Sequence, residues 1–459
     1  MMRYMIRIAA AAAMLLVLLT MSGCALSALT AENVMEPPQA FGDGAALQAA
    51  LEEALGPQIT LRYPRNGEYR SAVVRADVDN DEQEEAIVFY RQATESSGAR
   101  MVLLDINEDG DWVLTGEFAD AEGEIDRVVF GDINGDGTLD IITGWMAYSD
   151  YGTLYVHSCS DGTPVQLTIS KANPGAYALS SYAEMAVGDF DADGADELLT
   201  VSMAGTDNAG EARLLKWVGG RITDGGWIRE AGRLTLCSGT AAYTGSVAGK
   251  LNWSTYGLVV DSQRTDGSYC SELILWDRDS GKLVSPLTED AQRLFRRTLS
   301  TESCDIDGDG YIEIPGDVLM PDCGSAGAQR MYQTSWHIYN SREYAREFSA
   351  IMRTDSGYYF TVPDRWQGQV TVQPEADTRT LRFCLANEKK PFSDELMSIR
   401  VFTMDEWDEE KSSDENNGLP QYVELCTTDY YVYAVRITTA PPGLNIDYGS
   451  VLESFHLQE

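Results

Sequence analysis

Four short acidic turns, repeated at a near-constant interval, constrain this chain more than any other feature in it. Each places oxygen-bearing side chains at positions one, three and five and closes with a carboxylate at position nine. The four sets are Asp77, Asp79, Asp81 and Glu85; Asp132, Asn134, Asp136 and Asp140; Asp189, Asp191, Asp193 and Glu197; and Asp305, Asp307, Asp309 and Glu313. Alternate residues of a tight turn point the same way, so the oxygens of one copy converge. In the second copy Gly135 and Gly137 allow the positive φ such a turn needs. Position seven of that copy, Thr138, offers its backbone carbonyl. Hard oxygen donors at this density suit calcium, which takes six to eight of them. One such turn standing alone has a solvated Asx turn as its alternative reading; four in register favour the ion further. An EF-hand would close with Glu at position twelve. Those positions are Val88, Thr143, Thr200 and Gly316, and each turn is followed by strand-like sequence, not by a helix.

The turns begin at residues 77, 132, 189 and 305, giving gaps of 55, 57 and 116, the last close to two periods. A missing copy belongs near residue 247, where YTGSVAGKLNWSTYGLVVDS keeps the strand pattern but has Lys250 and Leu251 in place of acids. No metal is expected in that unit. Short strands at a fixed period mean a solenoid or a propeller, because one unit cannot bury its own face. The first unit reads as four strands, SAVVRADV, EEAIVFYRQ, ARMVLLDIN and DWVLTGEF, as in a propeller blade. The Asp105–Asp109 turn resembles the metal turns but has Val113 at position nine, so it reads as a hairpin.

The expected fold is therefore mainly β: a β-propeller over residues 59–353, with five blades of four strands closing on a common axis. MYQTSWHIYN and AREFSAIMR supply the last strands of the fifth unit. The period ends near Tyr358, and residues 354–459 read as a small α+β domain with no chemical signature. Residues 24–58 read as a tether ending in a short amphipathic helix, Ala45–Leu55, stopped by Gly56 and Pro57.

The start of the chain carries an export signal. Arg3 and Arg7 precede an apolar run from Ile8 to Leu19, too short for a good membrane span. Met21-Ser22-Gly23-Cys24 follows and resembles a bacterial lipobox, so residues 1–23 read as a signal peptide and Cys24 as the lipidated residue. The full chain has 34 basic and 72 acidic residues, a net charge of −38. Losing residues 1–23 removes only the two arginines, and 32 minus 72 leaves −40. Such a surface repels nucleic acid and anionic membranes and attracts cations. Seven cysteines follow Cys24, an odd number without metal-ligand spacing. Cys304 and Cys323 flank the last turn, and whether they pair stays open at this level.

The repeated D-x-[DN]-x-D-G-x-x-[DE] between strands resembles the FG-GAP/VCBS-type repeats of the integrin α-chain propeller superfamily. The first copy departs from it, with Glu82 in place of Gly, and the second carries Asn134. The lead-in LRYPRNGEYRSAVV and the segment YYFTVPDRWQG are similar to exported lipoproteins of Gram-positive bacteria. The resemblance implies calcium that stabilises blades, at up to four sites, and by analogy alone a protein or glycan partner.

Catalytic signals are weak. The three histidines, His157, His337 and His456, are far apart, and His157 and His337 lie in strand-like sequence. No GxSxG, HExxH or phosphate loop occurs. Trp145, Tyr148 and Tyr151 could stack on a sugar or could pack between blades. The expectation is thus a non-enzymatic, lipid-anchored binding or scaffold protein at the outer face of the cell membrane. The alternative is a glycan-active enzyme with its site in the propeller funnel.

Overall fold

A computed structural model describes residues 43–92, 98–119, 123–146, 152–159, 163–167, 182–202, 209–219, 226–321, 330–341, 343–387, 392, 394–412 and 420–458. The expected signal peptide and Cys24 lie outside the described residues, as do Tyr148, Tyr151 and Cys323. Helix α1 (Asp43–Leu55) opens the described chain, starting two residues before the expected Ala45–Leu55 and ending with it. Among the described residues no helix is long and apolar enough to cross a membrane.

The chain is mainly β, built from antiparallel sheets of four or five strands. Sheet one holds β1 (Ile59–Leu61), β2 (Val73–Ala76), β3 (Glu85–Gln92), β4 (Arg100–Ile106) and β5 (Trp112–Ala119). Sheet two holds β6 (Glu124–Gly131), β7 (Asp140–Met146), β8 (Gly152–Ser158) and β9 (Val165–Gln166). Sheet three holds β10 (Glu184–Gly188), β11 (Glu197–Ser202), β12 (Ala209–Val218) and β13 (Trp227–Ser238). Sheet four holds β14 (Thr240–Asn252), β15 (Thr255–Arg264), β16 (Tyr269–Asp277) and β17 (Lys282–Val284), and helix α2 (Glu289–Leu294) follows it. In sheets two to four the strands lie in chain order, as in the meander of a propeller blade. In the fourth unit β14 turns straight into β15 through Trp253 and Ser254, so the nine-residue acidic turn has no counterpart there.

Sheet five holds β18 (Ile314–Leu319), β19 (Tyr332–Asn340), β20 (Glu343–Arg353) and β21 (Tyr358–Thr361). Its first strand is reduced to a bridge between Cys304 and Glu313. Sheet six holds β22 (Val370–Glu375), β23 (Thr380–Leu385), β24 (Glu395–Thr403), β25 (Val423–Thr427) and β26 (Tyr431–Ile437), with helix α3 (Met404–Ser412) between its third strand and β25. Helix α4 (Tyr448–Ser454) then leads into β27 (Phe455–Leu457), which returns to sheet five and sets Phe455 beside Phe360. The segment expected to begin a separate domain after residue 353 therefore shares a sheet with the last blade, and β21 and β27 are its outer strands.

Period-two alternation lets each sheet bury both faces. In β3, Ile87 and Phe89 point into a seam with Ile125, Val128, Ile141 and Trp145 of sheet two, while Ala86, Val88 and Tyr90 face Leu47 and Leu51 of α1. Ile142, Leu154 and Val156 of sheet two then meet Met185, Leu198 and Leu215 of sheet three. Leu199, Val201 and Leu214 meet Leu258, Val260 and Ile274 of sheet four, and Val259 and Leu273 meet Ile314 and Tyr339 of sheet five. Ile351, Tyr358 and Phe360 continue the series onto Val370, Val372 and Phe383 of sheet six. Successive sheets thus stack in sequence. Closure of the stack into a ring finds no joining apolar cluster among the described residues: α1 covers the outer face of sheet one, and Trp407 of α3 packs on Phe402, Val432 and Ala434 of sheet six.

A fully buried apolar side chain contributes about 1.5–3 kcal/mol. The seam between sheets two and three alone has ten buried members. Packing therefore dominates the stability of the stack, and any ion held by a loop adjusts it.

Candidate metal centres

The four acidic turns, here loops one to four, adopt one conformation. The first residue holds the turn closed: Asp132 accepts the amides of Asp136 and Gly137 at 3.0 and 2.9 Å, and Asp189 accepts those of Asp193 and Gly194 at 3.0 and 3.1 Å. Asp77 does the same for Asp81 and Glu82, and Asp305 for Gly308 and Gly310. The fifth residue accepts the amide of the seventh in every copy, through Asp81, Asp136, Asp193 and Asp309. Positions four and six are left-handed throughout: Asn80 and Glu82 at φ 63° and 73°, Gly135 and Gly137 at 71° and 91°, Ala192 and Gly194 at 56° and 93°, Gly308 and Gly310 at 77° and 88°. Glycine is the low-strain residue there, so Glu82 and Ala192 are held against their backbone preference.

Position nine ties each loop to the sheet. Glu85, Asp140 and Glu197 are the first residues of β3, β7 and β11, and Glu313 immediately precedes β18. One oxygen of each accepts the amide of position two: Val78 to Glu85 at 2.7 Å, Ile133 to Asp140, Phe190 to Glu197 and Ile306 to Glu313 at 2.9 Å. The side chains of Val78, Ile133 and Phe190 are buried in the three successive seams between blades, and Ile306 packs beside Trp336 and Tyr359. The turn is thus plugged into the core at position two and clamped at position nine. Loops also touch neighbouring blades. Asp196 of loop three accepts the Asp132 amide at 2.9 Å, and the Ile312 amide beside loop four donates to Lys250 of sheet four at 2.9 Å.

Several of these acidic clusters could hold a metal ion. Carboxylate oxygens of Asp77, Asp79 and Glu85 lie within 4.8 Å of one another, as do those of Asp189, Asp191, Asp193 and Glu197, and those of Asp305, Asp307 and Glu313. Glu347 forms a further group with Asp307 and Asp309. In loop two Asn134 Nδ2 lies 3.1 Å from Asp140 Oδ1 and 3.0 Å from Ser158 Oγ, and a half-turn of the amide presents its oxygen to the same space.

The fit to a cation is tested by the oxygens these contacts leave over. Asp79 Oδ1 and Glu85 Oε1 of loop one, Asp191 Oδ1 and Glu197 Oε1 of loop three and Glu313 Oε1 of loop four are buried without a hydrogen-bond partner. Burying an unpaired anion is costly unless a cation or a proton meets it. Burial accordingly pushes the carboxyls up, Glu85, Asp140 and Glu197 to about 7 and Glu313 to about 8. A hard divalent ion would satisfy these oxygens and restore their charge.

The other residues singled out in the sequence fare differently. Trp145 is 2 % exposed, packs edge-on against Phe89 in the first seam and donates its indole N–H to Thr143. It has no face for a sugar, which corrects the stacking expectation for that residue. His157 and His337 are buried and lie against Phe118 and Phe295. Cys304 forms no disulfide among the described residues, and Cys159 and Cys384 are buried. The residues that sequence reading missed are Lys216 and Glu347, which reach the loops from other strands, and the apolar residue at position two. Strand register would have found Lys216; Glu347 stands at a bulge and carries no signal in the spacing.

No family model matches the chain, and no curated protein matches it. Among solved structures it is similar to the Dos1 propeller, with a TM-score of 0.31 and 10 % identity over 83 % of this chain and 94 % of that one. The WD40 domain of coronin from Toxoplasma gondii matches at 0.29 and 9 % identity over 86 % and 88 %, and Sqt1 from Chaetomium thermophilum at 0.30 and 10 % over 69 % and 76 %. The blade architecture stands on the chain's own sheets.

Proposed function

We propose that this chain is a calcium-braced binding scaffold of FG-GAP/VCBS type, exported and lipid-anchored at Cys24 on the outer face of the cell membrane. The observation that carries the calcium reading is the pair of buried, partnerless oxygens Glu85 Oε1 and Glu313 Oε1, each at the clamped end of a loop rich in converging carboxylates. Residues from Asp77 to Glu85 and from Asp305 to Glu313 would supply the oxygens. The ion's part is to neutralise a loop whose apolar second residue is set in the core, so that blade and loop stiffen together. The partner would be a protein or a glycan, recognised on the surfaces that the braced blades present.

The rival reading, a glycan-active enzyme, needs a pair of available carboxyls. The first strands do carry acids, but they are engaged. Glu184 pairs with Arg127 at 2.7 Å and accepts Ser246 Oγ at 2.8 Å, Asp126 accepts Tyr182 Oη at 2.9 Å, and Glu124 pairs with Arg91. Carboxylates held in these pairs are not free to meet a substrate, which favours the binding reading.

The test is a screen of the protein against glycans and cell-wall fragments, with and without calcium, reading both retention and cleavage products. Retention that EDTA abolishes, with no product formed, is expected. Product formation would establish the enzyme instead, and no retention under any condition would remove the glycan-binding claim.

A further inference from the structure

The four loops differ in what faces position nine across the sheet. Ala86 pairs with Leu104 in sheet one, Ile141 with His157 in sheet two and Leu198 with Leu215 in sheet three. One step along each antiparallel ladder sets Glu85 opposite Asp105, Asp140 opposite Ser158 and Glu197 opposite Lys216. The same structural position is thus an acid, a hydroxyl and an ammonium in three successive blades. In loop four the addition comes from β20. Its pairing slips between Trp336–Phe348 and His337–Arg346, and the extra residue, Glu347, joins Asp307 and Asp309.

In sheet three the ammonium is already in place. Lys216 Nζ lies 2.6 Å from Asp191 Oδ2 and 3.2 Å from Glu197 Oε1, and it also bonds Asp193. Three of the four acids of loop three therefore converge on a cation that belongs to the chain. Loops one and four have no such group among the described residues. Glu85, Glu313 and Glu197 are alike buried, 2 %, 0 % and 0 % exposed, each with one oxygen that no hydrogen bond satisfies. The Glu197 oxygen has the Lys216 ammonium 3.2 Å away, whereas those of Glu85 and Glu313 have no cation beside them among the described residues. A divalent ion entering loop three would have to expel an ammonium held by short contacts, or share the carboxylates with it at close range, where like charges repel. One entering loop one or four meets added negative charge, from Asp105 or Glu347.

We propose that Lys216 is the resident cation of loop three, and that tight divalent-ion binding belongs to loops one and four. This rests on the calcium reading above and separates loop three from loops one and four. Loop three is braced at all calcium concentrations, whereas loops one and four are braced only when the ion is present.

Native mass spectrometry in calcium-containing buffer counts the ions retained by the chain, by Lys216→Met and by Asp191→Ala. Lys216→Met is expected to retain one more calcium than the unaltered chain, and Asp191→Ala the same number as the unaltered chain. Equal counts for Lys216→Met and the unaltered chain, or the loss of one ion in Asp191→Ala, would overturn the assignment. The second variant decides the matter alone if the first does not fold. No calcium retained by any of the three would instead refute the calcium reading on which the assignment stands.

Discussion

Glu313 receives the Ile306 amide on Oε2 at 2.9 Å while its Oε1 stays buried without a partner. The same half-satisfied clamp joins Glu85 to Val78, seven residues apart in both cases. One oxygen of each glutamate fixes the backbone and the other is left for a ligand. The second residue of the loop sits among buried side chains, so any stiffening of the clamp is felt in the packing around it.

Loop one is strained where its relatives are not. Glu82 holds φ 73° at a position that is glycine in loops two, three and four. A side chain in the left-handed region costs about 1–2 kcal/mol, offset in part by the extra flexibility glycine brings to the unfolded chain. Glu82→Gly should therefore stabilise the protein by up to about 1 kcal/mol, measured by urea denaturation in calcium. A loss of stability would show that the Glu82 side chain contributes more than its backbone costs.

Arg297 and Asp261 form a buried pair at 2.7 Å, each about 1 % exposed at the side chain. Arg297 also donates to Ser271 Oγ and to the Thr301 carbonyl at 2.8 Å, and Asp261 accepts the Ser303 amide at 2.7 Å. Removing one partner strands the other charge, so Arg297→Ala should cost about 3–5 kcal/mol. Asp261→Asn should also destabilise. Equilibrium unfolding of either variant within about 1 kcal/mol of the unaltered chain would contradict a structural role for the pair.

His157 makes a contribution of definite sign to the pH dependence, opposite to that of the raised carboxyls Glu85, Asp140, Glu197 and Glu313. Burial depresses it from the ordinary histidine value to about 4. Between roughly pH 6.5 and 4 the unfolded chain therefore binds a proton at this residue that the folded chain refuses, and the His157 contribution to stability falls as pH drops through that window. The full effect is about 3 kcal/mol. His157→Gln should flatten the stability difference between pH 7 and pH 4.5 relative to the unaltered chain. An unchanged slope would mean that His157 does not titrate in this way.

Helix α1 closes the outer face of sheet one with Leu47 and Leu51, which are 4 % and 5 % exposed. Leu51→Ala should destabilise by about 2–4 kcal/mol and raise binding of a hydrophobic dye before unfolding. No change in either would place the helix off the sheet.

Much of this architecture is legible in the chain because its repeats combine two periods. The nine-residue ligand spacing marks each loop, and alternation marks the strands on either side, so β2 to β5 can be read almost residue by residue. The tight turn at Trp253 and Ser254 likewise follows from the absent acids at Lys250 and Leu251. What eludes sequence reading depends on which strand lies beside which. Lys216 is 19 residues beyond Glu197 and reaches loop three only through the ladder. Phe455 returns to Phe360 from the far end of the chain, so a boundary placed where the period stops cuts through a sheet. Trp145 has the look of a ligand platform in a stretch of aromatics, yet its neighbour Phe89 comes from the preceding blade.

The central claim is that divalent calcium fills loops whose carboxylates are otherwise stranded. Differential scanning calorimetry of the chain in excess calcium and in EDTA tests it most directly. An ion at a hundred times its dissociation constant stabilises by about 2.7 kcal/mol per site. The account predicts a melting temperature several degrees higher in calcium, reversed by EDTA and largely lost in a Glu85→Ala, Glu313→Ala double variant. Superimposable melting curves with and without the ion would contradict it.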